Sequence, residues 1–110
     1  MEISINVKEE NEKVVINVSG EIDVFTAPQL KEKIIPLVSA ENAEVIVDFK
    51  DVNYMDSTGL GVLINAYKAT KVNNSHIKII NLQDRVYRIF TITGLDEVMD
   101  INPVMRGGIK

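Results

Sequence analysis

The chain opens with two short runs in which apolar and polar residues alternate. Apolar side chains take every second position over residues 3–7 and again over residues 14–18. A period of two is typical of a half-buried strand, because successive side chains point to opposite faces of a sheet. Polar residues 9–12 predict a turn between the runs, and Gly20 is expected to end the second run. Together these features predict an antiparallel hairpin.

Helical spacing begins after Thr26. A hydroxyl residue with Gln29 three positions later has the form of a capping box, and Pro28 suits the first turn of a helix. Apolar residues then recur at helical spacing, at Leu30, Ile34, Leu37 and Val38. Because a proline inside a helix removes a hydrogen bond and clashes with the preceding turn, Pro36 is expected to kink or shorten this helix.

Strands and helices alternate in the rest of the chain. Residues 45–49 are rich in β-branched and apolar side chains, which is typical of a buried central strand. Residues 50–53 look like a turn, and apolar positions over 60–67 then share one helical face. A further strand at 77–80 and a third helix at 86–90 follow, with Gly94 placed as that helix's C-terminal stop.

This order of elements predicts an α/β fold. A short helical turn and a closing extended piece are expected over residues 95–101. Strands separated by helices need crossover connections and favour a parallel sheet, while the opening hairpin makes the sheet mixed. Because the first two strands are polar on one side, the helices should pack mainly on the other face. The length of 110 residues predicts one domain, 1–110, with a flexible tail at 104–110.

Composition removes several classes of site. There is no cysteine, which excludes disulfides, thiolate metal sites and a cysteine nucleophile. His76 is the single histidine, so a histidine-ligated metal site is not expected, and no cofactor is predicted. The net charge of -4 and the absence of tryptophan argue against nucleic-acid binding. No signal peptide or membrane-length apolar run is present, so we expect a cytoplasmic protein that does not bind membranes.

Candidate chemistry is concentrated in residues 56–61, Asp-Ser-Thr-Gly-Leu-Gly, where a strand passes into a helix. A helix N-terminus carries unsatisfied N–H groups and partial positive charge, so it favours an anion. On residue types alone, Asp56 or Ser57 is first of all a helix cap. The sharper hypothesis is that Ser57 accepts a phosphoryl group, whose charge the helix end would tolerate and a docked partner would not.

Other chemistry at this motif lacks necessary residues. Gly59 and Gly61 could let another backbone approach, but no third glycine or Gly-Lys-Ser/Thr follows, so neither nucleotide-binding fingerprint is present. A serine hydrolase needs a base, and His76 is expected at an exposed strand edge. A receiver domain would need an acidic pair at the end of the first strand, and none is present there.

The loop at residues 20–26 is the second segment of interest. On residue types it predicts a turn followed by a helix cap. The pattern does not decide whether Val24 and Phe25 are core residues or exposed contact residues.

Three motifs together resemble a known family. Residues 20–23 (Gly-Glu-Ile-Asp), 54–61 (Tyr-Met-Asp-Ser-Thr-Gly-Leu-Gly) and 92–95 (Ile-Thr-Gly-Leu) are similar, in order and spacing, to the bacterial anti-anti-sigma factors. These are single STAS domains (sulfate transporter and anti-sigma factor antagonist). The resemblance runs over nearly the whole chain and is strongest to the branch that controls the general stress sigma factor, sigma-B.

The resemblance implies a phosphorylation switch and no enzymatic activity. Ser57 falls on the family's phosphorylation site. The unphosphorylated form would bind an anti-sigma factor that is also a serine kinase of the histidine-kinase-like ATPase fold, which frees the sigma factor. The kinase would inactivate the chain, and a PP2C-type phosphatase would restore it. The positions expected at the partner interface are Asp23, Thr26, Asp56, Ser57, Thr58, Gly59, Leu60 and Gly61.

Two alternatives stay open on the sequence. A STAS domain could instead serve as a subunit of a larger scaffold or of a lipid-transport complex, without a phosphorylation switch. An enzyme or nucleotide-binding domain that uses residues 59–61 is the other alternative, but the chain offers it neither a catalytic base nor a loop lysine.

Overall fold

Within residues 2–104, five strands form one sheet, and three helices connect the strands after an opening hairpin. The structure is a computed structural model that describes residues 2–104. Its elements are β1 Ile3–Glu10, β2 Lys13–Ile22, α1 Ala27–Val38, β3 Glu44–Met55, α2 Ser57–Asn73, β4 His76–Leu82, α3 Asp84–Thr93, a 3-10 helix Leu95–Glu97 and β5 Asp100–Pro103. The strand order is β1-β2-β3-β4-β5, with β1 antiparallel to β2 and the other pairs parallel. The predicted mixed α/β sheet is therefore confirmed.

The hairpin between β1 and β2 turns at two residues. Asn11 and Glu12 have positive φ angles of 52° and 68°, the left-handed pair that a two-residue hairpin turn requires. The strands therefore reach Glu10 and resume at Lys13, so the turn is shorter than the polar run predicted.

Gly20 does not end β2, which continues to Ile22, so the predicted boundary was wrong. Its φ is 109°, and a Cβ at this position would lie 2.3 Å from the carbonyl oxygen of Glu2. The glycine allows β1 to approach while the pairing of β2 with β3 shifts register.

The prediction of a turn over residues 50–53 was also wrong, because β3 extends to Met55. Against β2, the strand contains two register shifts, each of which adds a residue on β3. The buried side chains are therefore spaced by three at Phe49, Val52 and Met55. This spacing hides the strand from a search for strict alternation.

α1 differs from its predicted capping and length. Thr26 stands at the N-cap position, but its side chain makes no capping hydrogen bond to the helix. The helix continues through Pro36 to Val38, so the proline does not shorten it. The buried face consists of Ala27, Leu30, Ile34 and Val38.

The core lies between the helices and one face of the sheet, as the alternation predicted. Its largest fully buried side chains include Phe49, Phe90, Ile16, Ile22, Leu30, Ile34, Leu63, Ile79 and Leu82. On the other face, Asn6, Asn17 and Asp48 are direct neighbours across β1, β2 and β3. The helices thus pack on one side, and the far side carries this polar row beside the half-buried apolar side chains of Val15, Ile46 and Ile80.

The C-terminal part follows the predicted pattern. Gly94 ends α3 with a φ of 78°, and the 3-10 helix and β5 follow. His76 is exposed, but β5 flanks its strand, so β4 is not an edge; its Nε2 lies 2.8 Å from Oδ2 of Asp100. The amide of Val104 donates to the carbonyl of Leu82 at 2.9 Å, and the rest of the expected tail lies outside the described residues. No helix within residues 2–104 combines the length and apolarity that spanning a bilayer requires.

Candidate functional site

The candidate site lies where two neighbouring parallel strands end. Ile22 and Met55, the last residues of β2 and β3, are partners in the sheet. The amide of Asp56 donates to the carbonyl of Ile22 at 3.1 Å. The two segments that the sequence singled out, residues 20–26 and 56–61, are therefore joined at one end of the sheet.

Asp56 is the N-cap of α2. Its Oδ1 accepts from the amide of Thr58 at 2.9 Å and from that of Gly59 at 3.3 Å. Its backbone is extended, as an N-cap requires, with φ −109° and ψ −172°. The capping prediction is confirmed for the aspartate, and the serine that follows does not act as the cap.

Ser57 is the first residue of α2 and is exposed. Within residues 2–104, its hydroxyl takes part in no hydrogen bond, because Asp56 already satisfies the amides of the first turn. A reactive oxygen therefore faces solvent at the positive end of a helix, where added negative charge is stabilised. Thr58 is exposed as well.

The two glycines of the motif face opposite surroundings. A Cβ on Gly59 would lie 2.5 Å from Cγ2 of Ile22 and 2.7 Å from Cγ of Met55. The absent side chain therefore lets α2 pack on the ends of β2 and β3, and the close approach is made by the protein's own side chains. A Cβ on Gly61 would meet nothing within 4 Å.

A hydrogen-bonded turn forms the neighbouring loop. Oδ1 of Asp23 accepts from the amides of Phe25 at 2.9 Å and Thr26 at 3.0 Å. The Thr26 hydroxyl donates to the carbonyl of Glu21 at 2.7 Å and accepts from the amide of Asp23 at 2.9 Å. The turn prediction is confirmed, but the threonine locks the loop and does not cap the helix.

Asp23 is 6% exposed, and its protonation is set by this loop. Burial raises the pKa of its carboxyl, while the backbone amides of Thr26 and Phe25 and the Thr26 hydroxyl lower it. The net result is a pKa below the ordinary value of 3.8, so Asp23 is ionised at neutral pH.

The structure decides the open question about the two apolar residues of the loop. Val24 is 57% exposed and Phe25 is 78% exposed. Both side chains point away from the core, on the loop that follows Ile22, whose carbonyl accepts from the amide of Asp56.

A groove between α1 and α2 continues this surface, with a volume of about 400 Å³. It is lined by Ala27, Pro28, Lys31, Thr58, Gly61, Val62 and Asn65. The sequence prediction missed five of these positions as site residues: Ala27, Pro28, Lys31, Val62 and Asn65. Their signal was the spacing of three and four residues, which places them on one face of each helix.

The eight positions expected at the interface are all brought to these two segments, but their exposure differs. Ser57 and Thr58 are exposed, and Asp56 and Gly61 are half-buried. The buried members are Asp23, Thr26, Gly59 and Leu60. These residues lie beneath the exposed surface of the site, and a direct role in binding stays a prediction.

Comparisons with known proteins agree with this geometry. The STAS domain model matches residues 4–106. The chain is 42% identical over 110 residues to the anti-sigma-B factor antagonist of Bacillus subtilis strain 168, covering 100% of both chains. It is 41% identical over 105 residues to the anti-sigma-B factor antagonist of Listeria monocytogenes, covering 94% of this chain and 92% of the relative.

A solved structure shows the same architecture. The crystal structure of an anti-sigma factor antagonist from Mycobacterium paratuberculosis superposes with a TM-score of 0.83 at 27% identity. The match covers 94% of this chain and 88% of the other. Because the family model spans nearly all of the chain and the relatives match over their full length, this protein belongs to the STAS domain family.

Proposed function

We propose that this protein is an anti-anti-sigma factor of the sigma-B type, controlled by phosphorylation of Ser57. The unphosphorylated form binds an anti-sigma factor that is also a serine kinase with the histidine-kinase-like ATPase fold. This binding releases the sigma factor for transcription in the cytoplasm. The kinase phosphorylates Ser57 and so ends the complex, and a PP2C-type phosphatase reverses the modification. The chain acts as binding partner and substrate, and not as an enzyme.

The observation that carries the proposal is the exposed Ser57 hydroxyl beside a cap formed by Asp56. A kinase can reach this oxygen without opening the core. Phosphorylation would also leave the cap intact, because the Asp56 carboxylate makes those hydrogen bonds. The full-length likeness to proteins named anti-sigma-B factor antagonist supports the choice of partner.

Electrostatics explain how one phosphate could act as a switch. Phosphoserine adds about −1.5 to −2 charges at pH 7. At the N-terminus of α2 the helix dipole stabilises this charge, so the fold is retained. A partner seated over the same surface must bury or oppose it, which costs several kcal/mol, and each 1.4 kcal/mol is about tenfold in affinity. We therefore expect phosphorylation to weaken binding at least about 100-fold.

The test is the intact mass of the protein after incubation with its cognate kinase and ATP. We expect a gain of one phosphate on wild type and on Thr58→Ala, and none on Ser57→Ala. Thr58 is the matched control because it is a neighbouring exposed hydroxyl on the same helix turn. Ser57→Ala should bind the kinase and stay bound in ATP, while Ser57→Asp should bind poorly.

Two results would contradict this proposal. Phosphate uptake by Ser57→Ala at the wild-type rate would place the modification elsewhere. A stable stoichiometric complex that ATP does not affect would favour a scaffold or lipid-transport subunit instead.

A further inference from the structure

We infer that the loop from Asp23 to Thr26 is an apolar anchor, with Phe25 as the side chain that enters a pocket on the anti-sigma partner. In this inference Asp23 and Thr26 are positioning residues and do not themselves touch the partner. The inference rests on the proposed function, because it takes the occupant to be the same anti-sigma factor that reads Ser57.

Two consecutive apolar side chains are exposed on this loop. Phe25 is 78% exposed and Val24 is 57% exposed. Single exposed apolar residues are ordinary, and Val72, Ile92 and Val98 are also exposed. The pair at 24–25 differs because it lies on a connecting loop, where binding residues concentrate, and includes a large aromatic ring.

Hydrogen bonds fix the backbone of the loop at Phe25. The amide of Phe25 donates to Oδ1 of Asp23, and the hydroxyl of Thr26 joins the amide of Asp23 to the carbonyl of Glu21. A binding residue on such a turn loses little backbone freedom on association, and Phe has only two side-chain torsions to fix. The loop is therefore already organised for binding before any partner arrives.

Asp23 offers little of its charge to a partner. The carboxyl is 6% exposed, and its Oδ1 accepts from the amides of Phe25 and Thr26. The burial of the residue leaves only a small part of the carboxyl within reach of a basic side chain from outside. What the loop presents to solvent is apolar surface, so the chemistry it fits is an apolar pocket.

The position of the loop next to the Ser57 segment identifies the protein that binds it. The amide of Asp56 is bonded to the carbonyl of Ile22, immediately before the loop. Ala27 and Pro28, immediately after the loop, line the groove that also contains Thr58. A protein docked over Ser57 would therefore cover the loop as well, which makes the anti-sigma factor the occupant.

The main experiment measures binding of the unphosphorylated protein to the cognate anti-sigma kinase by titration calorimetry. Phe25→Ala should weaken binding about 30-fold or more, the effect of an interface hot spot. Val72→Ala is the control, because Val72 is 83% exposed and lies about 22 Å from Ser57 along α2. It should bind within about twofold of wild type, on the same 1.4 kcal/mol per tenfold scale.

A second pair of variants tests positioning against direct contact. Asp23→Asn keeps an oxygen that can accept from the Phe25 and Thr26 amides, whereas Asp23→Ala removes it. We expect Asp23→Asn to bind within about threefold of wild type, while Asp23→Ala loses affinity as Phe25→Ala does. Combining Asp23→Ala with Phe25→Ala should add little, because both changes remove the same contact.

The outcomes separate this inference from the proposed function. If wild type does not bind the kinase, the proposed function and the anchor are both wrong. If wild type binds and Phe25→Ala binds equally well, only the anchor is wrong. An equal loss in Asp23→Asn and Asp23→Ala would show that the charge contacts the partner directly. If Phe25→Ala abolishes self-association measured by light scattering and leaves kinase binding unchanged, the occupant is a second copy of this chain. Circular dichroism of each variant confirms that the fold is retained.

Discussion

Asp23 and Asp56 follow the last residues of two adjacent parallel strands, and each accepts from the amides two and three residues further along. The same pair of hydrogen bonds supports two different kinds of exposed residue. After Asp56 the chain passes directly into α2 and exposes the hydroxyl of Ser57. After Asp23 it makes one more turn before α1 and exposes Phe25.

The two segments also differ in what lies beneath them. Asp56 is half-buried, while Asp23 and Thr26 are almost wholly buried and bonded to each other. The hydroxyl in the first segment is available for chemistry, and the hydroxyl in the second is part of the structure. In each segment a carboxylate therefore holds the turn through backbone amides, and a residue that follows it, Ser57 or Phe25, is left exposed at the surface.

The largest expected effect on stability is at the buried hydroxyl. Thr26→Val keeps the shape of the side chain but leaves the carbonyl of Glu21 and the amide of Asp23 without their partner. Unsatisfied buried polar groups cost about 1–3 kcal/mol, and we expect the free energy of unfolding to fall by that amount. Urea unfolding with an unchanged m-value measures it.

Thr91→Val is the matched control for this change. The Thr91 hydroxyl donates to the carbonyl of Arg88 at 2.9 Å, but the residue is exposed, so water can replace the bond. Its variant should stay within about 0.5 kcal/mol of wild type. If both variants lose the same free energy of unfolding, burial of the Thr26 hydrogen bonds adds nothing to their contribution to stability.

A smaller effect is expected at the first segment. Asp56→Ala removes the cap of α2, and the free energy of unfolding should fall by about 1 kcal/mol. Asp56→Ser should recover most of the loss, because serine also accepts from first-turn amides. Thermal unfolding of the three proteins measures the order. If Asp56→Ser is no more stable than Asp56→Ala, the aspartate acts through something other than capping.

The sequence predicts those parts of the fold that depend on local patterns. The hairpin, α2 and the Gly94 stop follow from periodicity and single-residue conformations, and the structure has all of them. The end of β3 could not be found this way, because its register shifts depend on β2 and space the buried residues by three.

The same distinction holds at the site. The motif located a helix start with an exposed hydroxyl, but residue types could not choose between Asp56 and Ser57 as the cap, since both residues favour that position. The role of Thr26 was misread because its hydroxyl donates to Glu21, five residues earlier, and not into α1. The exposure of Phe25 and the groove depend on where α1 and α2 pack on the sheet. Helical spacing assigns residues to one face of a helix, but it does not give that packing position.

The smallest expected effect is a change with pH confined to the second segment. Burial raises the pKa of Asp23, and the Thr26 and Phe25 amides with the Thr26 hydroxyl lower it to a net value below 3.8. A carboxyl whose folded pKa is lowered stabilises the fold above its unfolded pKa, and this contribution is lost as the pH falls through the folded pKa. The loop should therefore be fully held above about pH 4 and loosen in stronger acid.

In an NMR titration the amide shifts of Phe25 and Thr26 should move together with a midpoint below 3.8, and Asp23→Asn should remove that transition. A midpoint above 3.8 would mean that burial outweighs the hydrogen bonds in setting the pKa of Asp23, and this prediction would be wrong.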